Sequence, residues 1–454
     1  MSNTVCNNQT SGCEKDHHPT PGNQSREISS CEQTLISALY CLTRCLSLVN
    51  FLTLAAFAQP APWLLPNFAD RLELRVANAT NHTVETLAVV PVAEAARTAA
   101  GFPGTLAIVI DSSRGRSVLP SQADDLDGDG SADEFVFPVK LAAHEERQFH
   151  IYYSLTLREP LPWPKKVHAS HSFGYNRSTV ALESELIGYR TYGGFFLDIQ
   201  ARLKDQPGLN NGLVGFLGSS GPAPTGADVI HLGDTLGLGG IFLQAGKDVF
   251  RPPLNMPDYS HKPAPLEAPV YRVISDGPLR AVIEARMDRW TIGRDVVSIL
   301  ARYSIAAGSA HVECSFRIAP IELSRDYQVG AGIRYLPKME SSNAEGRLVL
   351  AGEQNATTGR LALGLYYDPS TASETLPVVT KDDRNAAIVF RTRLTPGRAI
   401  EGKYWVAGAW SGSGIQDLLS HLAGIEREAR LQVEVNAFHH THTPRPDRVE
   451  GEPI

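Results

Sequence analysis

From about residue 70 the chain alternates apolar and polar positions with a period of two, the pattern of half-buried strands. Leu72, Leu74 and Val76 open it. It recurs at Phe149 to Tyr153 and at Phe196 to Ile199, then at Val270 to Ile274, Arg280 to Met287, Val297 to Ile305 and His311 to Ile318. Gly277-Pro278 and Gly308-Ser309 punctuate these runs as turns. Further strands are predicted at Arg347 to Ala351, Leu361 to Tyr367, Ala387 to Arg393, Lys403 to Trp410 and Leu431 to Val435. One segment has helical spacing, Gly414 to Arg430, with Ile415, Leu418, Leu419, Leu422 and Ile425 on one stripe. Many strands and few helices predict a mainly β protein built from antiparallel β-sandwich domains.

Prolines divide the pattern. Pro160, Pro162 and Pro164 interrupt it between Leu155 and Ser172. A small sandwich is therefore expected over residues 59–160 and a large one over 161–436. The polar stretch 437–454 reads as a disordered tail. Residues 1–58 read as an N-terminal extension and signal segment. Arg44 precedes the apolar run Cys45 to Ala58, which ends in Ala56-Phe57-Ala58, a small-x-small cleavage pattern. The run is short for a transmembrane helix, although an uncleaved amphipathic anchor is the other reading. A periplasmic or extracellular location is expected, with no stable membrane span after signal removal.

Composition agrees with export. Cys6, Cys13, Cys31, Cys41 and Cys45 all precede the expected cut, leaving Cys314 and no intrachain disulfide. Hydrophobic content of 43% and charged content of 20% are ordinary for a globular protein. A net charge of −7 gives no support for a nucleic-acid partner.

The candidate chemistry lies in three stretches. Asp125, Asp127, Asp129 and Asp133 fall at positions 1, 3, 5 and 9 of a loop with Gly128 and Gly130. Ca²⁺ takes six to eight oxygens, and this spacing can wrap carboxylates and the Ser131 carbonyl around one point. Position 12 is Val136, inside the strand signal Phe135-Val136-Phe137, so the loop is not an EF-hand. A structural Ca²⁺ site and a solvated acidic turn are the two readings. The second stretch runs from Glu183 through Arg190 and Tyr192 to Asp198. In a strand, Arg190 and Tyr192 share one face and Tyr189 and Thr191 the other. Arginine pairs with a carboxylate through two parallel bonds, and tyrosine can stack on a sugar or move a proton. The same residues can instead pair internally, Arg190 with Glu183 or Asp198 across a strand. The third stretch is the glycine-rich Gly226 to Gly240. There His231 beside Asp228 or Asp234 can form an oriented base, or can simply be a paired loop histidine. Trp290, Trp405 and Trp410 are either sugar platforms or core. No nucleophile elbow, phosphate loop or His-Glu-x-x-His occurs.

Several blocks, in order, resemble a family of exported bacterial proteins classed as a domain of unknown function (DUF4861-like). They are Leu74 to Asn78, Leu119 to Gln122 with the Asp-rich loop, Asp133 to Phe137, and Glu183 with Arg190 and Tyr192. Gly226 to Gly240, Gly277 to Arg280, Gly332-Ile333 and Trp410-Ser411 complete the series. The resemblance implies a galactose-mutarotase-like supersandwich for the larger domain and an association with polysaccharide degradation. It also implies a Tyr-His pair where this chain reads Phe216 to Pro222, so His231 takes that role or the chain is inactive. The expectation is an exported enzyme, a lyase or hydrolase acting on uronic-acid-containing oligosaccharides. Its catalytic set would be Arg190, Tyr192, Glu183, Asp198 and His231. The rival is a non-catalytic carbohydrate-binding or structural surface module.

Overall fold

The computed structural model describes residues 63–113, 117–154, 162–172, 179–191, 194–203, 222–223, 226–230, 235–253, 268–355, 359–380, 383–430 and 434–442. The chain divides into two compact units, residues 1–64 and 65–454, and everything below belongs to the second. Antiparallel sheets dominate it, as the period of two predicts.

Two sheets form a leading sandwich. One has five strands in the order Glu434–His442, Asp70–Ala77, Glu146–Tyr153, Ala107–Asp111 and Ser117–Leu119. The other has three, Val84–Pro91, Glu134–Leu141 and Gln122–Asp124. Alternation puts Leu72, Leu74 and Val76 wholly inside, against Phe135, Phe137, Phe149 and Ile151. Each such side chain contributes about 1.5–3 kcal/mol by leaving water.

The outermost strand of this sandwich corrects the sequence reading of the tail. Residues 437–442 continue the last strand, and Glu434–His442 pairs along Asp70–Ala77. Polarity hid it. Backbone hydrogen bonds carry an edge strand, so it needs no continuous apolar face.

The larger sandwich has two layers. An eight-stranded sheet runs Val270–Asp276, Arg280–Ile292, Asp295–Ala306, His311–Glu322, Ile400–Trp410, Gly359–Tyr366, Arg347–Asn355 and Glu340–Ser341. Opposite it lies a six-stranded sheet: Pro222–Ala223, Gly226–Asp228, Asp198–Arg202, Gly188–Arg190, Thr179–Ser184 and Val167–Ser172. A five-stranded sheet, Asp248–Phe250, Leu238–Ala245, Tyr327–Arg334, Asp383–Leu394 and Ala372–Thr380, extends that layer. Leu197 and Leu238 exchange backbone hydrogen bonds of 2.9 and 3.2 Å where the two meet. The shared core includes Tyr189, Ile199, Tyr303, Cys314 and Val406. The layers approach closely: a Cβ on Gly408 would lie 2.4 Å from Ile199 Cδ1.

The helix starts later than its periodicity suggests, at Leu418, and ends at Arg430. Ser411–Ser413 form a 3₁₀ turn, and Asp417 sets the helix start. The Asp417 carboxylate accepts from the Ser420 N–H (3.0 Å) and hydroxyl (2.6 Å), a capping contact that fixes the first turn. Leu418, Leu422 and Ile425 then cover Val349, Trp405 and Ala407 on the outer face of the eight-stranded sheet.

The two sandwiches meet at a polar joint. Gln122 Oε1 accepts from the N–H groups of Leu279 (2.8 Å) and Arg280 (2.9 Å), while its amide donates to Asp124 and Ser275. Arg280 pairs with Asp124 and with Glu134. Gly277 is required there, because a Cβ would lie 2.1 Å from Gln122 Cδ.

Candidate active site

The six-stranded sheet sorts its side chains strictly. Tyr189, Leu182, Ile199 and Ala201 point into the core. Their neighbours Glu183, Arg190, Asp198, Gln200 and Arg202 occupy the opposite face and are nonetheless buried. Register sets the contacts. Arg190 lies directly opposite Asp198, and Gln200 opposite both Gly188 and Asp228. Gly188 also faces Glu183, so a residue without a side chain sits between Glu183 and Gln200.

Charges on this face are paired. Arg190 donates to Asp198 Oδ2 from Nη2 (2.7 Å) and Nε (3.2 Å). The same Nη2 pairs with Asp228. Arg202 Nη2 pairs with Glu183 at 2.7 Å. Asp198 is pushed up to about 8, by burial first and by the Asp228 charge second, against the pull of Arg190. Burial also raises Asp228. Two carboxyls this close share protons and titrate as a pair. The buried Gln200 amide lies opposite Asp228 and acts on its carboxyl, favouring the charged form against the effect of burial.

The residues singled out in the sequence divide as follows. Glu183, Arg190 and Asp198 share this face. Tyr192 and His231 lie outside the described residues. Asp228 enters as the second carboxyl of the pair, while Gln200 and Arg202 were missed. The alternation Asp198, Gln200, Arg202 was the available signal. Trp290, Trp405 and Trp410 are buried and serve as core. Trp163 instead lines a cleft of about 790 Å³ at the joint, with Leu106, Ser121, Ile274 and Asp276.

In the Asp-rich loop, carboxyl oxygens of Asp125, Asp127 and Asp133 lie within 4.8 Å of one another. Asp125 accepts from the N–H groups of Gly128 (2.6 Å) and Gly130 (2.8 Å), which lower its pKa. Asp129 accepts from the Ser131 N–H at 2.7 Å. Leu126 O accepts from Arg302, which also pairs with Glu284. The loop therefore rests on the eight-stranded sheet.

The model of the family described as "Domain of unknown function (DUF4861)" matches residues 78–430. The chain belongs to this family. The DUF4861 span holds the six-stranded sheet, the joint and the Asp-rich loop, and stops short of Glu434–His442. The family-like blocks at Gln122, Glu134 and Arg280 are the partners in the joint. No curated protein matches the chain. Among solved structures, one is an α-mannosidase from Enterococcus faecalis V583, with 10% identity over 83% of this chain and 47% of that one, and a TM-score of 0.44. Another is a protein in glycosyl hydrolase family 38 from Enterococcus faecalis, with 10% identity, 82% and 48% coverage and a TM-score of 0.39. The chain spans about half the length of either. Among the described residues no helix is long and apolar enough to cross a membrane.

Proposed function

We propose that this chain is an exported carbohydrate-active enzyme that hydrolyses an acidic oligosaccharide on the polar face of the six-stranded sheet. One observation carries the reading: Asp198 and Asp228 meet on a single guanidinium nitrogen, where burial raises both carboxyls and pushes Asp198 up to about 8. A carboxyl kept protonated at neutral pH is what a general acid at a glycosidic oxygen requires. Asp228, with 17% of its side chain exposed, is the partner that meets substrate as the carboxylate. Gln200, opposite Asp228, favours the ionised form of that carboxyl. Arg190 positions both acids and balances the charge left when the proton moves. Inverting hydrolysis leaves about 6.5–9.5 Å between carboxyls for a water. Two groups on one nitrogen leave no such gap, which favours a retaining course.

Elimination at a uronate is the alternative reaction. It needs Arg190 to neutralise the substrate carboxylate, and hence to leave Asp198 or Asp228. The standing ion pairs favour hydrolysis. Reducing-end release from pectic or ulvan-type oligosaccharides, without the absorbance of unsaturated uronates, is the expected result. That absorbance would mean elimination, and sugar retention with neither signal would leave only a binding module.

The same reading assigns structural Ca²⁺ to the loop, with Asp125, Asp127 and Asp133 as first ligands and Asp129 and the Ser131 carbonyl completing the shell. The ion would brace the contact to Arg302 and take no part in the reaction.

A further inference from the structure

The last strand brings a second group of ligands together, far in sequence from the sheet that carries the acids. His440 and His442 alternate along Glu434–His442 and so share one face. Asp70 lies directly opposite His442 on the first strand. Both imidazoles converge on one carboxylate oxygen, Asp70 Oδ1, which is 2.7 Å from His442 Nδ1 and 3.3 Å from His440 Nε2. The rings stand 4.2 Å apart and nearly perpendicular. All three ligand atoms lie within 4.8 Å of one another.

Hydrogen bonding alone accounts poorly for this arrangement. His440 Nε2 is buried and approaches Oδ1 to 3.3 Å without completing a hydrogen bond. Behind it the Tyr153 ring sits 6.0 Å from His440, and its buried hydroxyl also lacks a partner among the described residues. Tyr153 is itself opposite Asp70 in the sheet. Two neutral imidazoles and a carboxylate are a ligand set for a borderline divalent ion.

We propose that Asp70, His440 and His442 bind Zn²⁺, clipping the end of the last strand to the first strand of the leading sandwich. Zinc bonds of about 2.0–2.2 Å place ligand atoms roughly 3.3 Å apart in a tetrahedron. His442, with 71% of its side chain exposed, has the freedom to make that adjustment. The fourth position is left for water. The ion takes nothing from Asp198 or Asp228, so the clip stands or falls independently of the proposed reaction.

The test is a zinc titration of full-length, chelator-stripped protein against a coloured indicator, with melting curves in parallel. Zinc raises the melting midpoint of the wild type. His440→Ala and His442→Gln each bind one equivalent fewer than wild type and lose that rise. His439→Ala, whose side chain is exposed and opposite Glu73 on the other face, binds as wild type does. Because His442 is exposed, His442→Gln separates a lost ligand from a lost fold. Equal zinc stoichiometry in wild type and both variants, or no zinc-induced rise in the wild type, overturns the site.

Discussion

Burial first, then the Asp228 charge, push the Asp198 carboxyl up to about 8 against the pull of the Arg190 guanidinium. That balance has a consequence for stability. The folded value, about 8, lies above the unfolded reference of 3.8, so the folded chain holds this proton more tightly. The contribution is complete below about pH 4 and is lost as pH rises toward 8. Asp198→Asn removes the titration. Its denaturant midpoint is expected to fall less between pH 5 and 8 than that of wild type. An identical pH trend in both proteins would mean that Asp198 is ionised like any surface carboxyl. A second residue-scale expectation concerns Arg280. It is the cation between Asp124, which is fully buried, and Glu134. Arg280→Ala leaves Asp124 without its charge partner and is expected to cost about 3 kcal/mol in chemical denaturation. A loss within about 0.5 kcal/mol, the scale of ordinary surface substitutions, would remove the joint from the account.

At the scale of elements, sheet residues with one dry face were legible and contacts between strands were not. Leu72, Leu74 and Val76 announce a strand because each must avoid water. Glu183, Arg190 and Asp198 could be picked out as a polar cluster within sixteen residues. Their partners could not, because register across four strands decides that Asp228 meets Arg190 and that Gly188 faces Gln200. Polar alternation also concealed the strand Glu434–His442, whose place depends on the free edge of Asp70–Ala77. Removing residues 434–454 re-exposes that edge. The truncated chain is expected to melt at lower temperature and to associate, as seen by light scattering. Unchanged melting and a monodisperse peak would show the strand to be dispensable. The Asp-rich loop carries its own test. Ca²⁺ up to millimolar concentration is expected to raise the melting midpoint over that in chelator, and Asp127→Asn to abolish the rise. No Ca²⁺ effect in wild type would leave an acidic turn held by its own N–H groups.

The whole molecule brings these parts into one arrangement. A leading sandwich is locked through Gln122 and Arg280 to a larger two-layer sandwich, and the Asp-rich loop lies against Arg302 beside that lock. The polar face of the six-stranded sheet then holds a carboxyl pair on a scaffold whose core aromatics, Tyr189 among them, are fixed by hydrogen bonds. The Tyr189 hydroxyl donates to Ala310 O at 2.6 Å and accepts from the Gly408 N–H at 2.9 Å. Positions held this firmly suit acid–base chemistry, which depends on sub-ångström placement. The central claim is that Asp198 supplies the proton in glycoside hydrolysis. Its most direct test is kcat/KM against pH, from about 5 to 9, on the most readily cleaved acidic oligosaccharide, for wild type and Asp198→Asn. The account predicts a wild-type rate that declines as pH rises through about 8, following loss of the Asp198 proton. It also predicts a variant slower by roughly 10²-fold or more, without that alkaline limb. An Asp198→Asn protein that keeps wild-type rates and the same limb would contradict it.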